Sequence, residues 1–168
     1  LLDKIADEYD GDFLVDPYED DDMEMYDYFY SDLKTAVLLN DWINEMSEET
    51  ITDTLGIGPG DIKSRVDMTE WLLYAMNEIA LLFNPPATRR IKPLLTRVQY
   101  GVKQDLLELV RFRGVGRARA RILYNHGVKG MADVQNIDVS VLASFQKIGQ
   151  VLAKRMKEQA GYGTVKEE

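Results

Sequence analysis

Apolar residues recur at helical spacing through most of the chain, and no segment alternates apolar and polar residues over a strand's length. Leu2, Ile5 and Ala6 share one face of a short helix near the start. Ser31 has the character of an N-cap, with Asp32 in the first turn. Leu33, Ala36, Val37, Asn40 and Ile43 then carry a mostly apolar face to about Met46. Ser47-Glu48-Glu49 opens another helix through Ile51 and Leu55 that stops at Gly56. Gly56-Ile57-Gly58-Pro59-Gly60 is a breaker cluster, and Asp61 is placed to cap the longest helix, Ile62 to Phe83. Its buried stripe is expected along Val66, Thr69, Leu72, Leu73, Met76, Ile79, Ala80 and Phe83. Asn84-Pro85-Pro86 ends it. Residues 87–100 read as a basic helix, with Pro93 near the middle inviting a break or kink. Beyond Val102 the elements shorten, with helices expected at 103–110, 117–125, 130–135, 139–145 and 149–160. The pattern is all-α, a helical bundle over 31–101 followed by a smaller domain over 102–160. A tail at 161–168 is expected to be disordered.

Charge divides the chain at the same place. Residues 1–85 hold 4 Lys+Arg against 22 Asp+Glu, whereas residues 86–168 hold 16 against 7, so the net charge of −9 is the sum of two opposite halves. A basic half can meet an anionic partner when the acidic half faces away. The acidic stretch Asp16-Pro17-Tyr18-Glu19-Asp20-Asp21-Asp22 reads as a solvated linker, making 1–30 a separate segment. Tyr26, Tyr28, Phe29 and Tyr30 are expected to dock its end on the bundle. There are no cysteines, which removes disulfides and thiolate metal sites and suits a reducing cytoplasm. No stretch approaches the roughly 20 apolar residues of a membrane span, so no membrane partner is expected. The opening Leu1-Leu2-Asp3-Lys4 lacks an initiator Met and any signal pattern, and reads as a cut from a longer chain.

The most informative run is Leu106 to Gly127. Two helical segments flank Gly114-Val115-Gly116. The glycines permit positive φ or close backbone approach. Val115 is an apolar plug between the helices. Gly116 stands just before the second helix, whose first N–H groups lack intrahelical partners and, with the helix dipole, make a phosphate site. Ala118 and Ala120 allow close packing, and Leu107, Val110, Ile122 and Leu123 hold the crossing angle. Around this turn, residues 86–126 contain ten basic residues (Arg89, Arg90, Lys92, Arg97, Lys103, Arg111, Arg113, Arg117, Arg119, Arg121) against Asp105 and Glu108. The segment resembles the helix-hairpin-helix DNA-binding family, which implies sequence-independent contact with backbone phosphates. A weaker second copy at Leu142–Lys154 keeps Ile148-Gly149 but lacks the first glycine. It is expected to complete the fold, with Lys147 and Lys154 assisting.

Residues 31–160 as a whole resemble the C-terminal part of the archaeal Hjm-type (HelQ-like) superfamily-two DNA helicase of the Ski family. Ser31-Asp32-Leu33-Lys34-Thr35-Ala36, Gly58-Pro59-Gly60-Asp61-Ile62, Glu70-Trp71-Leu72-Leu73-Tyr74-Ala75, Val98-Gln99-Tyr100-Gly101-Val102-Lys103 and Gly114–Ala120 carry the resemblance. It implies that 1–30 holds the remnant of a winged-helix domain and the acidic linker. It also implies that 31–101 is a bundle whose long "ratchet" helix lies across single-stranded DNA, and that 102–160 grips the strand. The implied function is a non-catalytic, nucleoid-associated DNA-binding region of an ATP-dependent 3′-to-5′ repair helicase. Its partners would be single-stranded or forked DNA and the motor domains of the same chain. ATP and Mg would belong to the parent helicase, with no cofactor, metal or catalytic residue in this region. The implied contacts are Gly114, Val115, Gly116, Arg117, Arg119, Arg121, Arg111, Arg113, Trp71 and Arg65. The family's ratchet Arg lies seven residues before its Trp, a place held here by Ser64 between Lys63 and Arg65. Trp42 is assigned to core. Arg117 and Arg119 sit about 200° apart on a helix, so they cannot grip one phosphate. Arg117 is expected near the hairpin phosphate, and Arg119 or Arg121 on a neighbouring phosphate or another domain.

Other chemistry is sparse. No Gly-x-x-x-x-Gly-Lys-Ser/Thr phosphate loop is present, and the Gly56–Gly60 cluster is followed by Asp61, which repels phosphate. His126 is the lone histidine and suits a helix end. Asp138 falls near the distance at which some glycosylases place a catalytic Asp after this hairpin, but it equally suits an N-cap. The alternative function is a protein-interaction module of a repair complex, using the acidic segment 16–27.

Overall fold

The structure, a computed structural model, describes residues 2–8, 13 and 23–162. Among these, regular structure is helical and there is no strand: α1 (Leu2–Glu8), α2 (Met23–Ile43), α3 (Glu48–Leu55), α4 (Pro59–Phe83), α5 (Thr88–Tyr100), α6 (Arg117–Asn125), α7 (Met131–Asn136), α8 (Val139–Ser144) and α9 (Gly149–Tyr162). Most of the acidic stretch 16–27, and the tail from residue 163, lie outside the described residues.

The buried residues form two clusters. Leu38, Ile51, Leu55, Ile62, Val66, Leu73 and Val98 make the core of α2–α5. Val102, Leu106, Leu109, Val110, Phe112, Val115, Ala120, Leu123 and residues on to Ala160 make the second. The chain passes between them at Gly101, which adopts φ 61° as the C-cap of α5. A side chain there would collide with Trp42, whose nearest ring carbon lies 2.6 Å from the place a Cβ would take. Trp42 thus closes the end of α5, and its Nε1 donates to the Val98 carbonyl at 2.7 Å.

Several elements differ from the sequence expectation. α2 starts at Met23, and Ser31 lies inside it, its carbonyl accepting from Thr35 Oγ1 at 3.0 Å. The aromatics before Ser31 explain the extension. Tyr26 and Tyr30 stack one turn apart at 4.9 Å, and Phe13 meets Phe29 edge-on at 5.0 Å. α4 starts at Pro59, with Asp61 in its first turn rather than at the cap, and Asp61 Oδ2 accepts from the Gly58 N–H at 2.8 Å. α5 runs unbroken through Pro93.

The segment expected as a helix over 103–110 is instead a 3-10 turn at Gln104–Leu106 followed by further turns. Most of its bonds join residues three apart, such as Leu109 N to Leu106 O at 3.0 Å and Phe112 N to Leu109 O at 3.2 Å. Leu106, Leu109 and Phe112 recur every third residue, and three per turn brings all three to the core.

The stripe expected on α4 merges two facets. Ile62, Val66, Leu73, Asn77 and Ala80 are buried, whereas Met68, Leu72, Met76, Ile79 and Phe83 are exposed. At about 100° per residue the second set forms its own line along the helix. Asn77 is the one buried polar residue among those described, and its Oδ1 has no hydrogen-bond partner.

Candidate nucleic-acid interface

The first hairpin is built by a tight turn. Val115 N donates to Phe112 O at 2.9 Å, and Gly114 takes φ 89°, a conformation costly for any residue with a Cβ. Val115 is buried against the second core while Gly114 and Gly116 are exposed. Gly116 is the extended N-cap of α6 and offers no side chain to its first-turn amides. Behind the turn, Gln159 of α9 fixes the approaching segment. Its Oε1 accepts from Arg113 N at 3.0 Å, and its Nε2 donates to Arg111 O at 2.9 Å.

Phe145–Ile148 repeats this turn, although Gly149 takes φ 61° where Gly116 is extended at φ −98°. Ile148 N donates to Phe145 O at 3.1 Å, and Gly149 begins α9. Lys147 stands where the first copy has Gly114 and adopts φ 65°. The missing glycine therefore did not remove the turn. The buried Ile148, Ala153 and Met156 match Val115, Ala120 and Leu123.

The arginines divide by employment. Arg119 joins the hairpins, its Nη1 donating to Gly114 O and its Nε to Lys147 O, both at 2.8 Å. Arg121, expected on DNA, is held in a network between the two cores. It donates to Glu45 at 2.7 and 2.8 Å and to Asp105 at 3.0 and 3.1 Å. Burial alone would raise the Glu45 carboxyl. It is outweighed by hydrogen bonds from Arg121 and the Lys103 N–H and by the Arg121 charge, which leave the carboxyl below its ordinary value. Arg117 lies 4.5 Å over the Trp42 ring and donates to Met46 O at 3.2 Å. Arg97 reaches Val102 O and Ile43 O. Arg111 and Arg113 are exposed, and their guanidiniums have no partner among the described residues.

Trp71 is 63% exposed, so it does not belong to the core of α4. It lines a groove of about 450 Å³ with Tyr74, Leu95, Gln99, Asp67 and Glu70. Arg65 is exposed but lies six residues earlier, about 120° around the helix from Trp71. Lys63 is nearer that face and pairs with Asp67. Trp42 is half-buried at the junction of the two cores, more a joint than a core residue.

Sequence reasoning missed Glu45, which holds Arg121, and Tyr74 and Gln99 beside Trp71. A signal existed for Tyr74, one turn from Trp71. None existed for Glu45, whose partner is distant in sequence. His126 caps the end of α6, with Nδ1 2.8 Å from Ile122 O and its ring on Phe145. Asp138 is the N-cap of α8, accepting from Ser140 N at 2.7 Å. The Ser140 hydroxyl, then its N–H, hold the carboxyl below its usual range. No group of metal-binding side chains exists among the described residues. No described helix is long and apolar enough to cross a membrane.

Two turns that share the same backbone bond and a buried apolar residue at the same place, packed on one core, define the second half as a tandem helix-hairpin-helix fold of the DNA-binding type. Comparison with family models agrees. Residues 106–165 match the SAM-like helix-hairpin-helix tandem, and residues 1–101 match "Archaeal helicase, domain 4". The chain belongs to the archaeal helicase domain 4 family, joined to a helix-hairpin-helix tandem. Similar proteins include the ATP-dependent DNA helicase Hel308 of Methanocella arvoryzae, 39% identical over 160 residues, which are 94% of this chain and 22% of that protein. The Hel308 of Thermoplasma acidophilum is 34% identical over 140 residues, 83% of this chain and 21% of that protein. That of Caldivirga maquilingensis is 40% identical over 154 residues, 90% of this chain and 20% of that protein. The chain thus spans about a fifth of the length of these curated relatives.

Proposed function

We propose that the chain is a DNA-binding, non-catalytic region of an ATP-dependent 3′-to-5′ DNA repair helicase. Its hairpins hold the sugar-phosphate backbone, and Trp71 stacks on a base of the single strand. The observation that carries this reading is the pair of exposed glycines Gly114 and Gly116, with the first amides of α6 left without a side-chain cap and the exposed Arg111 and Arg113 just before them in the chain. Amides and dipole at a helix start favour phosphate without reading sequence. Arg117 contributes positive potential from its seat on Trp42, while Arg119 and Arg121 act on the protein itself. In the Trp71 groove, Asp67 and Glu70 repel backbone phosphates, which favours a base at the ring. Such stacking is worth about 1–3 kcal/mol. Arg65 serves as a phosphate contact on a neighbouring facet of α4. ATP and Mg belong to motor domains of the longer helicase. The exposed line Met68, Leu72, Met76, Ile79 and Phe83 supports packing of α4 against them.

Fluorescence anisotropy with single-stranded and forked oligonucleotides at several salt concentrations tests the reading. Affinity is expected to fall with salt, with a log–log slope of about −0.7 to −0.9 per phosphate contact. Trp71→Ala is expected to weaken single-strand binding by about 1–3 kcal/mol with no loss of fold. Absent or salt-insensitive binding overturns the reading.

A further inference from the structure

We propose that the cleft between the first hairpin and α9 is a subsite for one backbone phosphate, with Arg113 and Arg155 as its cations and Glu158 as a built-in competitor. This rests on the DNA-binding reading above and adds a residue, Arg155, that lies outside the hairpin motif. Arg113, Arg155, Glu158 and Gln159 line a cleft of about 540 Å³. Gln159 is not free to bind a ligand, because both ends of its amide are spent on the backbone of Arg113 and Arg111. What it does is pin the turn carrying Arg113 to the helix carrying Arg155, so both cations stand on one fixed scaffold.

Neither guanidinium has a hydrogen-bond or ion-pair partner among the described residues. The described ion pairs are Lys63–Asp67, Arg121–Glu45 and Arg121–Asp105. Each planar fork therefore keeps its side-chain donors for a bidentate anion, and phosphate matches that fork. Arg119 and Arg121 differ, having donors already committed inside the protein. Glu158 follows Arg155 by nearly one turn of α9 and lines the same cleft, yet pairs with neither arginine. With one carboxylate against two guanidiniums the cleft keeps a single net positive charge. A phosphodiester, carrying one negative charge, neutralises it. The cleft adjoins the hairpin through Arg113, so a continuous backbone reaches the amides of α6 and this cleft together.

The test measures DNA binding by the full chain over a salt series, with circular dichroism as a check on fold. Arg155→Ala is expected to weaken binding roughly tenfold for every DNA sequence and to reduce the salt slope by about 1. Glu158→Gln is expected to tighten binding by roughly threefold at low salt by removing a nearby like charge, while Glu49→Gln on α3 is expected to leave it unchanged. Arg113→Ala and Arg155→Ala combined are expected to be less than additive, as for two cations on one phosphate. If wild-type protein binds DNA with the expected salt slope and Arg155→Ala matches it, the subsite is overturned and the hairpin reading survives. If wild-type protein does not bind, the parent reading has failed first. Displacement of DNA by inorganic phosphate beyond the effect of chloride at equal ionic strength, lost in Arg155→Ala, is also expected, because free phosphate and the backbone compete for one cleft.

Discussion

The two halves of the chain solve the burial problem differently. The hairpin half is short-helixed yet buries most of its apolar residues, leaving Val141 and Val151 as its exposed large ones. Phe112 is 1% exposed, and Leu106, Leu109 and Leu123 are fully buried. The bundle half contains the longest helix yet leaves a line of large apolar side chains in solvent, with Phe83 at 83%. Long amphipathic helices supply more apolar surface than this bundle can cover, whereas closely spaced turns let short helices wrap one core. The bundle half therefore leaves far more large apolar surface uncovered than the hairpin half does.

The comparison breaks most visibly at phenylalanine. Phe112→Ala is expected to cost about 3–5 kcal/mol, as for truncation of an enclosed aromatic. Phe83→Ala is expected to change stability by no more than about 0.5 kcal/mol. Chemical denaturation of both variants checks the pair. Equal losses would mean that Phe83 is covered in this chain and that the bundle is as complete as its neighbour. Next in size is Gly101→Ala at the joint between the cores. It combines positive φ with a collision against the Trp42 ring, and is expected to cost about 3 kcal/mol. Calorimetry that found no loss of Tm would show that Trp42 moves aside freely and does not fix the halves.

These contrasts also mark what the sequence made legible. The hairpin was readable because Gly114 stands where the turn takes positive φ and periodic helices flank it. The all-helical fold was readable from spacing alone. The facets of α4 were not. Periodicity reports that Leu72, Met76, Ile79 and Phe83 align, but not that α2 and α5 cover the other side, where polar Asn77 sits buried. Arginine roles were legible only as charge. Arg113 and Arg121 look alike in a list, yet one faces solvent and the other meets Glu45 and Asp105, partners brought in by the fold. The second hairpin was underrated because a missing glycine weakens a motif more than it weakens a turn.

The Glu45–Arg121 link supplies a smaller expected effect with a pH signature. Glu45→Ala is expected to cost about 1–3 kcal/mol, since Arg121 loses its shortest hydrogen bonds while keeping Asp105. The folded carboxyl sits below its unfolded value, so its contribution is present above the ordinary glutamate pKa of about 4.3. It is lost as pH falls through the lower folded value. The stability gap between wild type and variant should accordingly narrow on acidification below about pH 4 and stay constant from pH 6 to 8. A gap independent of pH throughout would mean that the carboxylate charge does not join the halves.

The smallest expected effect runs the other way. Lys147 pays for a left-handed backbone that Gly114 adopts freely in the matching turn. Lys147→Gly removes that strain but adds freedom to the unfolded chain, and the two terms are of similar size. A net stabilisation of up to about 1 kcal/mol is expected, with the Lys147 carbonyl still available to Arg119. The informative readout is the sum of changes rather than the single variant. If Arg119 holds the hairpins in register, Arg119→Ala should abolish part of the gain, because an untethered second turn relaxes its own strain. Additive behaviour of the two substitutions would show that each hairpin keeps its geometry alone, and that Arg119 is free to turn toward solvent anions.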